Sequence, residues 1–286
     1  MATQTISTES NSVTEWAVVA RSLLTSDDIE LPVLPEVSLQ LLELTSDVNC
    51  EPKDIIELLR RDQSLTGNLL KTANSVRYTC GQPVTSIQQA VARLGLLCIR
   101  EVVMVISCQT KVFDVARFES DVRQSFDRSL ATAAFSQEIA RSRRLNVEDA
   151  FLCGLLHDIG RPVVLQALSD HRTNSGDDGD EDALRLTADD VRIPMASRLV
   201  LSWDLPQRLA DIIEHQQTPV EAGEYEQQAA ILNLAADLAR MLLETNQPVP
   251  EDFDHPMFSL LNMYPADMVG VLGKQEEILE WVRSTV

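Results

Sequence analysis

The chain has 286 residues, of which 44% are hydrophobic and 24% charged, so it can form one large or two ordinary folded units with an apolar core. Acidic side chains outnumber basic ones by 44 to 24, and the formal net charge is −20. Such a field repels phosphate backbones and anionic lipid, which argues against nucleic acid and membrane surfaces as partners.

Cysteine usage and the N-terminus indicate a cytoplasmic protein. The cysteines form no Cys-X-X-Cys pair, which predicts reduced, mostly buried thiols. They are Cys50, Cys80, Cys98, Cys108 and Cys153. Apolar runs such as VVMVI are too short to cross a bilayer. The polar, acidic N-terminus lacks the pattern of a signal peptide, and residues 1–14 are predicted to be a disordered tail.

Helical periodicity runs through almost the whole chain. The predicted helices cover residues 35–45, 51–62, 64–75, 86–95, 96–110, 124–144, 147–168, 186–203, 206–216, 224–245 and 266–284. Thr85 or Ser86 should cap the fourth helix and Gly95 should end it. The next helix is apolar nearly all round, which predicts a central, buried position. No alternating strand pattern stands out, so the predicted fold class is all-α.

One stretch interrupts the helical pattern. Residues 169–182 read SDHRTNSGDDGDED, and we expect a flexible acidic insert there. The stretch lacks the glycine and glutamate spacing of a calcium-binding loop.

Four segments in order resemble the HDOD domain, a bacterial signal-output module related to the HD metal-dependent phosphohydrolases. They are LPVLPEVSLQLLELTSD, IIELLRRDQSLTGNLLKTANS, PVTSIQQAVARLGLLCIREVVM and AFLCGLLHDIGR. The resemblance implies an HD-domain-like helical bundle with an N-terminal helical subdomain. The subdomain would cover residues 15–115, the degenerate HD-like part 116–245, and a C-terminal helical extension 246–286.

The resemblance also implies where a metal would be held. A hydrolytic divalent metal needs about three or four histidine and carboxylate ligands and an open position for water. Only the pair His157 and Asp158 is retained here. The positions where the other ligands are expected carry Arg128, Arg192, Gln216, Gln217 and Ala236. A guanidinium cannot ligate a cation and repels one, so the sequence predicts a degenerate metal site.

The neighbouring candidates do not restore the ligand set. Asp237 follows Ala236, but one step along a helix rotates a side chain by about 100°. The only local compensation is His215 with Asp211 and Glu214, of which Asp211 and His215 should share a helix face. The remaining candidates lack a matching context; they are His171, His255 and Cys153. We expect the Arg128 guanidinium to fill the metal position and to pair with Asp158.

Three functions are open at this point. The first is a non-catalytic regulatory domain that needs no cofactor and binds a signalling protein; its regulatory input would come through a partner or a ligand. The alternative is a metal-dependent phosphohydrolase or phosphodiesterase acting on a nucleotide or cyclic dinucleotide. In the third, a cleft binds a small phosphorylated messenger. The residues of that predicted cleft are Arg128, Arg192, His157, Asp158 and His215.

The C-terminal segment QEEILEWVRSTV is amphipathic. It could dock a partner or mediate dimerisation, and the simpler interpretation is that it closes the helical bundle.

Overall fold

The protein is described here by a computed structural model. The described residues are 16–22, 24–25, 31–46, 49–75, 78, 82–111, 118–175, 180–245, 247–250 and 252–285. The predicted tail at 1–14 and Cys80 lie outside these residues. The described part contains α-helices and one 3₁₀ segment and no strand, which confirms the predicted all-α class.

Thirteen α-helices have both ends within the described residues. They are α1 (Glu36–Ser46), α2 (Pro52–Leu59), α3 (Gln63–Ala73), α4 (Ile87–Lys111), α5 (Glu119–Arg143), α6 (Val147–Leu156), α7 (Gly160–Ser175), α8 (Glu181–Ser202), α9 (Gln207–Glu214), α10 (Glu226–Thr245), α11 (Met257–Leu261), α12 (Pro265–Leu272) and α13 (Gln275–Thr285). The 3₁₀ segment Pro219–Tyr225 joins α9 to α10.

Helix α4 changes direction at Gly95, as the sequence predicts. This residue has φ 70° and ψ 172°, a conformation that interrupts helical hydrogen bonding and suits glycine. The Ser86 hydroxyl accepts from the Gln89 amide at 3.2 Å and so caps the first half. In the second half every residue from 101 to 108 is buried, which confirms the predicted central position.

The prediction of a flexible insert at 169–182 is wrong over most of that range. Helix α7 continues through Ser175, and α8 begins at Glu181 after Asp180, whose side chain accepts from the Asp182 amide. The reason is tertiary packing, because Arg172 is buried and the ring of Trp16 meets the His171 ring edge-on at 6.0 Å. Such contacts override a polar composition that taken alone suggests a loop. Residues 176–179 lie outside the described part.

Two predicted helices are each divided in two. The segment 147–168 breaks at residues 157–159, where the Ile159 amide donates to the Leu156 carbonyl and the Arg161 amide to the Asp158 carbonyl. The segment 266–284 is divided at Gly273 and Lys274 between α12 and α13. The first break places the His-Asp pair in a turn between α6 and α7, where its side chains can meet other helices.

The core consists of two apolar clusters. The smaller cluster packs the helices α1, α2, α3 and α4 against one another and includes Leu41, Ile55 and Ile106. The larger one extends from Trp16 to Val282 and contains the centre of the HD-like part. Helix α13 belongs to it, since Ile278, Trp281 and Val282 are buried against α5 and α10. The C-terminal helix therefore closes the bundle.

One described segment is long and apolar enough to be compared with a membrane span. It is Val147–Asn174, and 89% of its apolar stretch is buried inside the protein. That degree of burial is typical of a core segment in a folded bundle.

Candidate functional site

Two glycines allow four helices to approach closely at the His-Asp turn. A Cβ on Gly154 of α6 would lie 2.5 Å from the Ala133 Cα on α5, and a Cβ on Gly160 would lie 2.0 Å from the Arg192 carbonyl oxygen on α8. Only a residue without a side chain permits such close backbone approach. The turn is therefore clamped between α5 and α8, which carry Arg128 and Arg192.

Asp158 lies between these two arginines. Its carboxylate oxygen Oδ2 accepts from Arg128 Nη2 at 3.1 Å, and Oδ1 accepts from Arg192 Nη1 at 2.9 Å. The residue is only 2% exposed. Burial by itself would raise the pKa of Asp158, but His157 and the nearby guanidinium charges hold it below its ordinary value. The carboxylate is thus ionised, and both of its oxygens have a cationic partner.

His157 is buried beside this carboxylate and is neutral. Its Nδ1 lies 2.8 Å from the Gly154 carbonyl oxygen, so the ring donates from Nδ1. Burial, reinforced by the charges of Arg192 and Arg128, lowers the pKa of His157 to about 4 even though Asp158 opposes the shift. The imidazole is engaged with the backbone of its own helix.

Gln216 stands where a histidine pair is expected and has a structural role. Its Nε2 donates to the Ile213 carbonyl at 3.0 Å and to the His157 carbonyl at 3.3 Å. The backbone carbonyl of Gln216 accepts from Asn233 Nδ2 at 2.8 Å, which ties α10 to the segment after α9. Gln216 is buried, whereas Gln217 is exposed and Ala236 is partly buried. The side-chain amide of Gln216 therefore links the end of α9 to the His-Asp turn.

His215, which the sequence offered as the only local compensation, is bonded to its own helix. Its Nδ1 lies 2.9 Å from the backbone carbonyl oxygen of Asp211, whose carboxylate instead accepts from Gln207 at 2.9 Å. Glu214 is exposed. The structure brings Arg128, Arg192, His157 and Asp158 together but gives His215 no bond to them.

Asp237 and His255 form a separate pair. The ring Nε2 lies 3.0 Å from Asp237 Oδ2, and Nδ1 accepts from the Met257 amide at 3.3 Å, so Nε2 carries the proton. This hydrogen bond is the leading cause of a lowered Asp237 pKa. Within the described ranges, no group of three or more histidine, cysteine or acidic side chains is arranged to hold a metal ion.

Sequence reasoning missed a second ion-pair network beside the turn. Arg161, which is 6% exposed, donates to Asp189 Oδ1 at 2.6 Å and to Asp121 Oδ1 at 3.1 Å. Arg185 also donates to Asp121. The missed signal is the spacing of Arg185, Asp189 and Arg192, which puts them on one face of α8. The network ties α5, α7 and α8 together.

The space next to Asp158 is small and mostly apolar. A cavity of about 20 Å³ adjoins the carboxylate, enough for roughly one water molecule. Its lining includes Cys108, Phe126, Leu155 and Ile159. Burial raises the pKa of the Cys108 thiol to about 12 and that of Cys153 well above its ordinary value. Neither cysteine has the lowered pKa of a nucleophile.

The fold has clear relatives among solved structures. A candidate phosphohydrolase from Shewanella amazonensis is 24% identical, with a TM-score of 0.68, over 90% of this chain and 96% of that one. An HDOD domain protein of unknown function from Geobacter sulfurreducens is 22% identical, with a TM-score of 0.66, over 96% and 98%. A candidate signal-transduction protein from Marinobacter aquaeolei is 20% identical, with a TM-score of 0.65, over 91% and 60%. These similarities define the class, an HD-like helical fold.

The particular family follows from the sequence. The HDOD domain profile matches residues 31–219, about two thirds of the chain. The chain therefore belongs to the HDOD domain family, as the resemblance predicts. An uncharacterised protein from Treponema pallidum is 22% identical over 205 residues. The match covers 68% of this chain but only 39% of that relative's length.

Proposed function

We propose that this HDOD chain is a non-catalytic regulatory domain in cytoplasmic signal transduction, and that it acts by binding a partner. The observation that carries the proposal is the engagement of both Asp158 oxygens by Arg128 and Arg192. The proposal includes a degenerate metal site, and the two guanidiniums that pair with the retained aspartate support it.

The donor set explains why a divalent metal does not fit. A metal that ligated Asp158 would lie next to two guanidiniums whose charge repels it. The Gln216 amide donates to backbone carbonyls, and His157, which donates from Nδ1 to the Gly154 carbonyl, has a single nitrogen, Nε2, left as a ligand atom. A phosphohydrolase mechanism would need a set of about three or four ligands that these residues do not supply.

Elemental analysis and a hydrolysis assay test the proposal together. After purification without chelator, we expect well below one equivalent of Mn, Fe, Co, Ni or Zn. We also expect no hydrolysis of bis-(p-nitrophenyl) phosphate or a cyclic dinucleotide above the rate of an Asp158→Ala variant. A stoichiometric metal together with turnover that Asp158→Ala abolishes would establish the enzyme instead.

A second candidate function is the binding of a small phosphorylated messenger. The side chains of Arg128 and Arg192 are 25% and 22% exposed, and each contacts Asp158 through one guanidinium nitrogen. Their remaining N–H groups could bind a phosphate. Calorimetric titration with a cyclic dinucleotide tests this idea. Binding that Arg192→Gln weakens at least tenfold, and that Arg240→Gln leaves unchanged, would support it.

A further inference from the structure

An open groove separates the start of the N-terminal part from the turn between α8 and α9. Its volume is about 500 Å³, which is within the range of protein binding sites. Its base is apolar and ordered by packing. Base residues include Leu34, Leu42, Trp203 and Leu205, all at most 9% exposed. The Trp203 ring is fixed by a hydrogen bond from Nε1 to the Pro32 carbonyl at 2.6 Å.

A second groove lies on the other side of α1. It measures about 420 Å³. Its lining residues are Gln40, Glu43, Leu44, Asp54, Glu57, Leu58 and Arg61. Glu43 of α1 lines both grooves, so the grooves adjoin at this residue. We call the two grooves together the α1 surface. Apolar bases with charged rims are typical of protein interfaces.

The rim of the α1 surface is acidic. Its carboxylates are Glu43, Asp54, Glu57 and Asp204, against the guanidiniums of Arg61 and Arg100. Arg100 is already paired with Glu148. Glu43, Glu57 and Asp204 are exposed, and none of them forms an ion pair with another described residue. The surface therefore has negative charge to offer to an incoming cation.

Asp204 adds an independent observation. Its φ is 56°, in the left-handed region that a residue other than glycine seldom adopts. It follows the end of α8, where the Leu205 amide donates to the Val200 carbonyl at 3.3 Å. Glycine is the usual residue at this position of a helix end. The chain instead carries a carboxylate at the groove rim, despite the less favourable backbone.

We propose that the α1 surface binds a segment of a partner protein that carries apolar side chains on one face and lysine or arginine on the other. This inference rests on the proposed binding function and names the class of partner. Charge favours a basic partner over a second copy of this chain, because a chain with net charge −20 would be repelled by an acidic rim. A basic amphipathic segment can fill the apolar base and neutralise the rim.

The test uses the full chain and a synthetic 18-residue amphipathic peptide of leucine and lysine, with a leucine and glutamate peptide for comparison. We expect saturable 1:1 binding of the cationic peptide by fluorescence anisotropy. The triple variant Glu43→Gln, Glu57→Gln, Asp204→Asn should weaken it at least fivefold. The control variant Glu276→Gln, Glu280→Gln, Asp252→Asn removes the same charge from exposed positions elsewhere and should change the Kd less than twofold.

Asp204→Gly separates binding from folding. Because glycine suits the left-handed backbone, this variant should raise the melting temperature and still weaken peptide binding. Asn262→Gly is its control: Asn262 has φ 49° and also follows a helix end, so its variant should leave binding unchanged.

Three results would overturn the inference. They are no binding of the cationic peptide, equal weakening by the two triple variants, and a dimer in sedimentation that only the rim variant dissociates. None of them bears on metal content or hydrolysis, so the failure of this inference and of the proposed function can be told apart.

Discussion

Arg128 and Asp158 are 30 residues apart in the chain, and Arg128 Nη2 lies 3.1 Å from Asp158 Oδ2. This contact confirms the expectation that a guanidinium at the first ligand position pairs with the retained aspartate. The side chain thus supplies positive charge to the buried carboxylate of the His-Asp pair. A built-in cation cannot activate water, but it does hold α5 to the turn that precedes α7.

Removing Arg128 should destabilise the fold. In Arg128→Ala the buried Asp158 keeps only Arg192 as its direct charged partner, and we expect a loss of about 1–3 kcal/mol of unfolding free energy. Urea unfolding followed by circular dichroism measures it. Arg141→Ala, which removes the exposed pair with Glu138, should stay within about 0.5 kcal/mol. Equal losses in the two variants would show that the buried pair of Arg128 and Asp158 stabilises the fold no more than an exposed ion pair does.

Gly154 should not tolerate a methyl group. In Gly154→Ala the new Cβ would meet the α5 backbone at Ala133, and we expect a loss of about 1–3 kcal/mol or more. Gly67→Ala is the matched control, because nothing lies within 4 Å of that Cβ and the helix gains about 0.5–1 kcal/mol. Unfolding temperatures that move in the same direction for both variants would contradict the proposed close packing.

Burial of neutral His157 should make stability fall in mild acid. The unfolded chain takes up a proton near pH 6.5, whereas the folded chain resists until about pH 4, so the unfolded state binds more protons between these values. Stability should therefore decrease as the pH falls through this window, by up to about 1.4 kcal/mol per pH unit for this group. Chemical unfolding at several pH values should show a shallower slope for His157→Gln, and an unchanged slope would refute the assignment. Asp158 contributes at lower pH, because its folded pKa lies below 3.8.

Cysteine reactivity should follow burial. Cys108 and Cys153 are buried with raised pKa values, whereas Cys50 and Cys98 are partly exposed. A short iodoacetamide pulse at pH 8, read by peptide mass spectrometry, should label Cys50 and Cys98 at least tenfold faster than the other two. Unfolding in urea should remove the difference. Fast native labelling of Cys153 would indicate an accessible thiolate.

The sequence by itself determined the helical class and the interruption of the helix at Gly95. These features depend on local periodicity and on backbone conformation, which can be read from residue types. The loss of metal ligands at positions such as Arg128 is a prediction that depends on the resemblance to the HDOD family. The sequence also indicated that Arg128 and Asp158 would meet, because both stand at positions expected to share one metal.

Only the tertiary structure decided the rest. It placed Arg192 on the second oxygen of Asp158, bound Gln216 to the turn, and paired Asp237 with His255. It also turned most of the predicted insert into helix by packing Trp16 on His171. These outcomes depend on the distances between helices that are far apart in the chain, and those distances arise only when the apolar faces pack together. The short distances from Gly154 to the α5 backbone and from Gly160 to the α8 backbone result from that packing.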